Sequence, residues 1–163
     1  MPTCVAIFAH PDDVEYFAAG TMLQLAKRGW DLHYFDLCAG NGGSVRTDGP
    51  TTAAIRLAEA REAARVLGAT FHPPVVNDMT LTFDIPVMRK VAAVIREARA
   101  DIVLTHALSD YMEDHMACAR LAVSAAFTHG MPNFETTPPT ATYAHDVTIY
   151  HAMPHGLRNP LRQ

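Results

Sequence analysis

A chain of 163 residues is long enough to bury roughly two-thirds of its unfolded surface, so one domain over 1–163 is expected. With 49% hydrophobic and 18% charged residues the composition excludes a disordered or membrane-embedded chain. The balance of 13 Lys and Arg against 17 Asp and Glu, net charge -4, excludes a nucleic-acid backbone as the main partner and points to a small molecule.

The first apolar run, Cys4 to Ala9, has no basic residue before it and is followed at once by His10, Pro11 and two aspartates. It is neither a signal peptide nor a membrane span, and reads as a buried strand over Thr3 to Phe8. Val14, Phe17, Ala18, Met22 and Leu25 follow at helical spacing up to Gly29. Leu32 to Leu37 is a second strand, and Ala39 to Pro50, with four glycines, is a long loop. Leu57, Ala60, Ala64 and Leu67 mark a second helix closed by Gly68. Ala69 to Val76 is a third strand interrupted by Pro73 and Pro74. Ile85, Met88, Ala92 and Ile95 mark a third helix, Asp101 to Thr105 a fourth strand, and Met116 to Phe127 a fourth helix after the loop His106 to Asp114. Beyond Gly130 the periodicity weakens, and Val147 to Met153 is one more strand with no helix after it. The alternation predicts a Rossmann-like α/β fold, a three-layer sandwich around a mostly parallel sheet. Three cysteines, Cys4, Cys38 and Cys118, odd in number and far apart, argue against a disulfide framework and for a cytoplasmic location.

In such sheets ligands bind beyond the carboxyl ends of the strands where strand order reverses, between strands 1 and 4 in the order 3-2-1-4. The loop after strand 1 is Ala9-His10-Pro11-Asp12-Asp13, and the one after strand 4 ends Asp110-Tyr111-Met112-Glu113-Asp114-His115. Several carboxylates buried together need protons or a cation to neutralise them. His10, Asp13 and His115 supply two imidazoles and one carboxylate, the protein ligands of many catalytic zinc sites. Each loop also has a plainer reading: aspartates before a helix cap its amides, and a single histidine more often packs than ligates. Two such loops at adjacent strand ends are harder to explain by capping.

These motifs resemble those of the LmbE-like, PIG-L type zinc-dependent N-deacetylases, whose hallmarks are an Ala-His-Pro-Asp-Asp loop after strand 1 and a later Asp-His pair. The segment Ile55 to Ala69 is also similar to the family's arginine-bearing second helix, so the likeness spans roughly residues 4 to 127. The resemblance implies one zinc ion per chain held by His10, Asp13 and His115, with Asp12 as general base, Asp114 supporting the site and Arg56 as a substrate anchor. It implies a hydrolase that removes an N-acyl group, acetyl by analogy, from a small substrate of the N-acetylglucosamine type. Arg56 also reads as ordinary helix surface among Glu59, Arg61, Glu62 and Arg65. The Gly40 to Ser44 cluster could present backbone amides to substrate hydroxyls, or be a plain turn.

Two departures from the family stand out. Many members carry, three residues before the last zinc ligand, a histidine that helps stabilise the oxyanion, and here that position is Met112, which cannot donate a hydrogen bond. Tyr111, His106, His145, His151 and His155 are the candidates to replace it, with His151 preferred. The chain also stops where the family usually continues, so it is a short member, part of something longer, or a subunit whose site a homo-oligomer completes. A noncatalytic metal-binding remnant is the rival reading. A dinucleotide site is disfavoured because the first turn lacks Gly-x-Gly-x-x-Gly, and a hydrolase based on Cys38 has no designated histidine.

Overall fold

A computed structural model of the chain describes residues 1–154. Five strands, β1 (Thr3–Phe8), β2 (Asp31–Asp36), β3 (Thr70–His72), β4 (Ile102–Thr105) and β5 (Thr148–His151), form one sheet in the order β3-β2-β1-β4-β5. Every neighbouring pair is parallel. The helices are α1 (Ala19–Ala26), entered through a π-helical turn at Val14–Ala18, then α2 (Gly49–Leu67), α3 (Ile85–Ala98) and α4 (Glu113–Phe127). This is the expected α/β architecture.

β1 is central and buried along its whole length, and its side chains alternate between two cores. Val5 and Ile7 join Phe35, Leu37, Val91, Ile95 and Leu121 on the side of α3 and α4. Cys4, Ala6 and Phe8 join Tyr34, Met22, Ala60 and Ala64 on the side of α1 and α2. The two layers of helices clamp the sheet, which fixes where the ends of β1 and β4 stand.

The boundaries shift where capping decides them. α2 begins at Gly49, inside the stretch read as loop, because the Asp48 side chain accepts the Thr51 N–H and Pro50 suits a first turn. α3 starts likewise on Asp84, which accepts from Val87 N–H. β3 is cut to three residues because Pro73 and Pro74 cannot extend the ladder, and Val76 returns only as an isolated bridge to Cys38. α4 starts at Glu113, so Asp114 and His115 lie in its first turn, buried, rather than at the end of a loop. No helix among the described residues is long and apolar enough to cross a membrane.

Candidate active site

The parallel order places the carboxyl ends of β1 and β4 side by side, so the His10–Asp13 loop and the first turn of α4 meet. Neither aspartate is spent on capping as the plainer reading required. Asp13 makes no side-chain cap bond to the helical turn it precedes, and the residue at the cap of α4 is Met112, not Asp114. The Asp13 side chain instead turns back, accepting the His10 N–H at 2.8 Å.

Asp13 Oδ2 is the point on which the site converges. It lies 3.3 Å from His10 Nδ1, 3.4 Å from His115 Nε2 and 3.2 Å from His106 Nε2. The far nitrogens of the rings have other partners. His10 Nε2 donates to Asp114 Oδ2 at 3.0 Å, and His115 Nδ1, which makes no good hydrogen bond among the described residues, faces Asp110 Oδ2 at 3.3 Å. His106 differs: the same Nε2 that faces Asp13 accepts the Ala9 N–H at 3.0 Å. With one ring proton drawn toward Asp114 and Asp110, the near nitrogens of His10 and His115 face the Asp13 oxygen, each carrying either a second proton or a lone pair. Converging lone pairs and a carboxylate need a proton or a cation between them.

A cation fits. The ligand atoms of His10, Asp13 and His115 all lie within 4.8 Å of one another. Four-coordinate zinc with bonds of about 2.0–2.2 Å sets its ligands about 3.3–3.5 Å apart, matching the 3.3 and 3.4 Å contacts with Asp13. Asp114 and Asp110 stand where carboxylates orient the imidazoles of metal sites. The same crowding shows in the protonation equilibria. Burial works against a charged His10, yet Asp13, Asp114 and Asp78 raise its pKa to about 9. Burial likewise opposes the charged form of His115, and Asp13 and Asp110 raise its pKa nonetheless. Burial would push Asp13 up, but His10, His106 and His115 hold its carboxyl far below the usual range. Burial dominates at His106 and pushes it down.

Asp12 stands at the lip, its side chain 69% exposed, with φ of 105°, a backbone region that favours glycine. Arg56 holds it there, reaching Asp12 Oδ2 at 2.5 Å, the Pro11 carbonyl, and Glu59 Oε2 at 2.7 Å. Arg56 is therefore a tied element of this loop rather than free helix surface. Burial raises the Asp12 pKa and Arg56 opposes the rise. Gly40, at φ 73°, makes the close approach possible, since a Cβ there would lie 2.9 Å from Arg56 Cβ.

His10, Asp12, Asp13, Arg56 and His115 all line one cavity of about 500 Å³, with Gly40, Gly42, Gly43, Asp78, Met79, Tyr111 and Met112. Of the two readings of the glycine loop, the amides follow the plain turn. Gly40 and Gly42 N–H donate to Asp78 Oδ1 and Oδ2 at 2.7 and 2.8 Å, and Gly43 N–H to the Gly40 carbonyl at 3.3 Å. Of the groups named to replace a histidine at Met112, only Tyr111 lines this cavity. His151, the preferred one, has its Nδ1 2.6 Å from the His106 carbonyl oxygen and lines a separate groove with Phe8 and Phe17. His145 sits by the Arg99 carbonyl, and His155 lies outside the described residues. His106 was named only as a candidate to replace the oxyanion histidine and Asp110 only as part of the loop after β4, and neither was read as a neighbour of His10, Asp13 and His115. All three cysteines are free and buried, and burial pushes the Cys38 thiol well up, so His10 within 4.8 Å does not make it a nucleophile.

Residues 5–126 match the family described as PIG-L, GlcNAc-PI de-N-acetylase. The chain belongs to the PIG-L family. A curated relative is the 4-oxalmesaconate hydratase of Pseudomonas putida, 29% identical over 131 residues, which are 76% of this chain and 51% of that protein. Among solved structures, the 4-carboxy-2-hydroxymuconate hydratase GalB of Pseudomonas putida aligns with TM-score 0.82 at 24% identity, over 93% of this chain and 65% of that one. The N,N'-diacetylchitobiose deacetylase of Pyrococcus horikoshii aligns with TM-score 0.83 at 24% identity, over 94% of this chain and 61% of that one. This PIG-L chain thus spans about half the length of the curated relative and less than two-thirds of these structures. The family contains enzymes of more than one reaction class, and the structural matches carry the fold alone.

Proposed function

We propose that this PIG-L chain is a zinc-dependent amide hydrolase that removes an N-acyl group, acetyl in the simplest case, from a small amine-bearing substrate. The observation that carries it is the convergence of His10, His115 and Asp13 beneath an exposed second carboxylate, Asp12, in one cavity. One zinc ion held by His10, Asp13 and His115 would supply Lewis acidity and lower the pKa of water from 15.7 to about 7. Asp12 takes the proton as water adds to the amide carbonyl carbon, and returns it to the departing amine nitrogen. Its raised pKa makes it a stronger base than an ordinary aspartate, and Arg56 holds its carboxylate at the lip. Asp114 and Asp110 hold the rings of His10 and His115 in the tautomers that leave lone pairs facing Asp13. Tyr111, which lines the cavity, is the candidate donor to the oxyanion in place of Met112.

The hydratase relatives motivate a second reading, addition of water to a carbon–carbon double bond of a carboxylate-rich substrate. The cavity lining speaks against it. It carries Asp12, Asp13 and Asp78, and its one guanidinium, Arg56, is already tied to Asp12 and Glu59, which leaves a polycarboxylate only the metal ion as a cationic partner. The test compares the parent protein with Asp12→Asn and His115→Ala for zinc content and for acetate release from a panel of N-acetyl sugars. The reading expects about one zinc per chain in the parent and Asp12→Asn, loss of zinc in His115→Ala, and release by the parent alone. Bound zinc with no release from any amide favours the hydratase or a noncatalytic remnant, and no zinc on supplementation removes the site.

A further inference from the structure

We infer that the substrate of this site carries an apolar group, an acyl chain longer than acetyl or an apolar substituent on the amine portion, and that Met79 is its main contact; this rests on the amide-hydrolase reading above. The polar groups around the cavity mouth are already engaged with one another. Asp78 takes the Gly40 and Gly42 amides, Arg56 takes Asp12, Glu59 and the Pro11 carbonyl, and Asp114 takes His10 and the Met79 N–H. Binding a purely polar headgroup there would mean breaking those pairs. Beside the exposed Asp12 carboxylate, which Arg56 holds, the mouth presents an apolar side to solvent: Met79 is 75% exposed, the Tyr111 ring belongs to a residue 67% exposed, and Met112 is half-buried in the same lining.

Met79 carries a second, independent signal. Its φ is 59°, in the left-handed region where glycine and asparagine are at ease and a long apolar side chain is rare. The backbone requirement is set by the 2.8 Å bond from its N–H to Asp114 Oδ2, the carboxylate that also holds His10. Fold stability alone would favour asparagine or glycine at this position. An exposed methionine there earns nothing in the core and loses in the backbone, as expected of a residue kept for contact with a ligand. Its backbone is tied through Asp114 to His10, so the residue that offers the apolar contact is anchored beside the reacting centre.

The test uses the zinc-loaded protein and two substrate series: N-acyl glucosamines from acetyl through butanoyl to hexanoyl, and N-acetylglucosamine glycosides from methyl through butyl to hexyl. Each methylene buried against Met79 raises kcat/KM by up to about fourfold. The gain enters through KM with kcat nearly unchanged, because the contact is the same in ground and transition states. Met79→Asn keeps the N–H to Asp114 and suits the backbone, so it retains zinc and unfolds no earlier than the parent, while its dependence on chain length flattens. Calorimetric titration of the same ligands into the zinc-loaded Asp12→Asn protein reads affinity without turnover. A rise along either series that Met79→Asn abolishes supports the inference, and the series that shows it locates the apolar group. Hydrolysis or binding that is flat or falling along both series overturns it. If no amide is hydrolysed the hydrolase reading fails, and the calorimetric series still decides whether Met79 receives an apolar group.

Discussion

Acidification should loosen the β3 edge of the sheet through one buried histidine pair. His33 Nδ1 and His72 Nε2 lie 2.8 Å apart with their rings nearly parallel, so one nitrogen donates and the other must remain unprotonated. Burial lowers the His33 pKa against the opposing pull of Asp31, whose Oδ2 stands 3.8 Å from His33 Nε2, and of Glu97, whereas among the described residues no carboxylate offsets the burial of His72. Burial, and then the neighbouring His33, lower the His72 pKa from 6.5 to about 4. The unfolded chain therefore binds more protons than the folded one between those values. Stability tied to the neutral ring is present above pH 6.5, falls as the pH drops below it, and is lost by about pH 4. The pKa change corresponds to about 3 kcal/mol, a large share of the ~5–15 kcal/mol that holds a typical domain together. Urea unfolding of the parent and of His72→Phe at intervals from pH 7 to pH 4 measures it. The variant starts less stable, by about 1–2 kcal/mol, because His33 loses its partner. Its stability should then decline by about 3 kcal/mol less than that of the parent over this range. Parallel curves for the two proteins would refute the assignment of a neutral, proton-resisting His72.

Arg96 is buried and donates to the carbonyls of Thr128 and Met131 at 2.8 Å and of Thr140 at 3.2 Å; Thr128 and Met131 also accept the N–H groups of Met131 and Phe134, so Arg96→Met should cost about 2–4 kcal/mol in urea unfolding through three lost charge-assisted bonds rather than three orphaned acceptors. Gly40→Ala forces a Cβ to 2.9 Å from Arg56 and a side chain into positive φ; a loss of about 1–3 kcal/mol and a weakened hold on Asp12, read as lower kcat, are expected. Asp114→Asn weakens the orientation of His10 and should lower zinc affinity about 10- to 100-fold in chelator competition. Because Cys4, Cys38 and Cys118 are buried, a thiol reagent should label none of them in the folded protein and all three in urea, and rapid labelling of Cys38 under native conditions would contradict the packing.

The sequence by itself determined the order of strands and helices, the all-round burial of β1 and the places of His10, Asp13 and His115 at adjoining strand ends. The first two follow from hydrophobic periodicity, which is local in sequence, and the third from the strand order common to such sheets. Tertiary structure decided which way each carboxylate faces. Asp13 and Asp114 could equally have capped helices, and only the pairing of β1 with β4 brings His106 and His115 to Asp13 and Asp114 to His10. The same holds for Arg56, whose tie to Asp12 spans the chain from α2 to the β1 loop, and for the glycine loop, whose amides are taken by Asp78 from a segment far along the chain. His151 was misjudged for a related reason: register places it at the end of β5, and parallel pairing directs it to the groove beside Phe8 rather than to the cavity. Periodicity fixes which face of an element is buried, but a polar side chain goes to whichever distant partner the packed elements bring within hydrogen-bond reach.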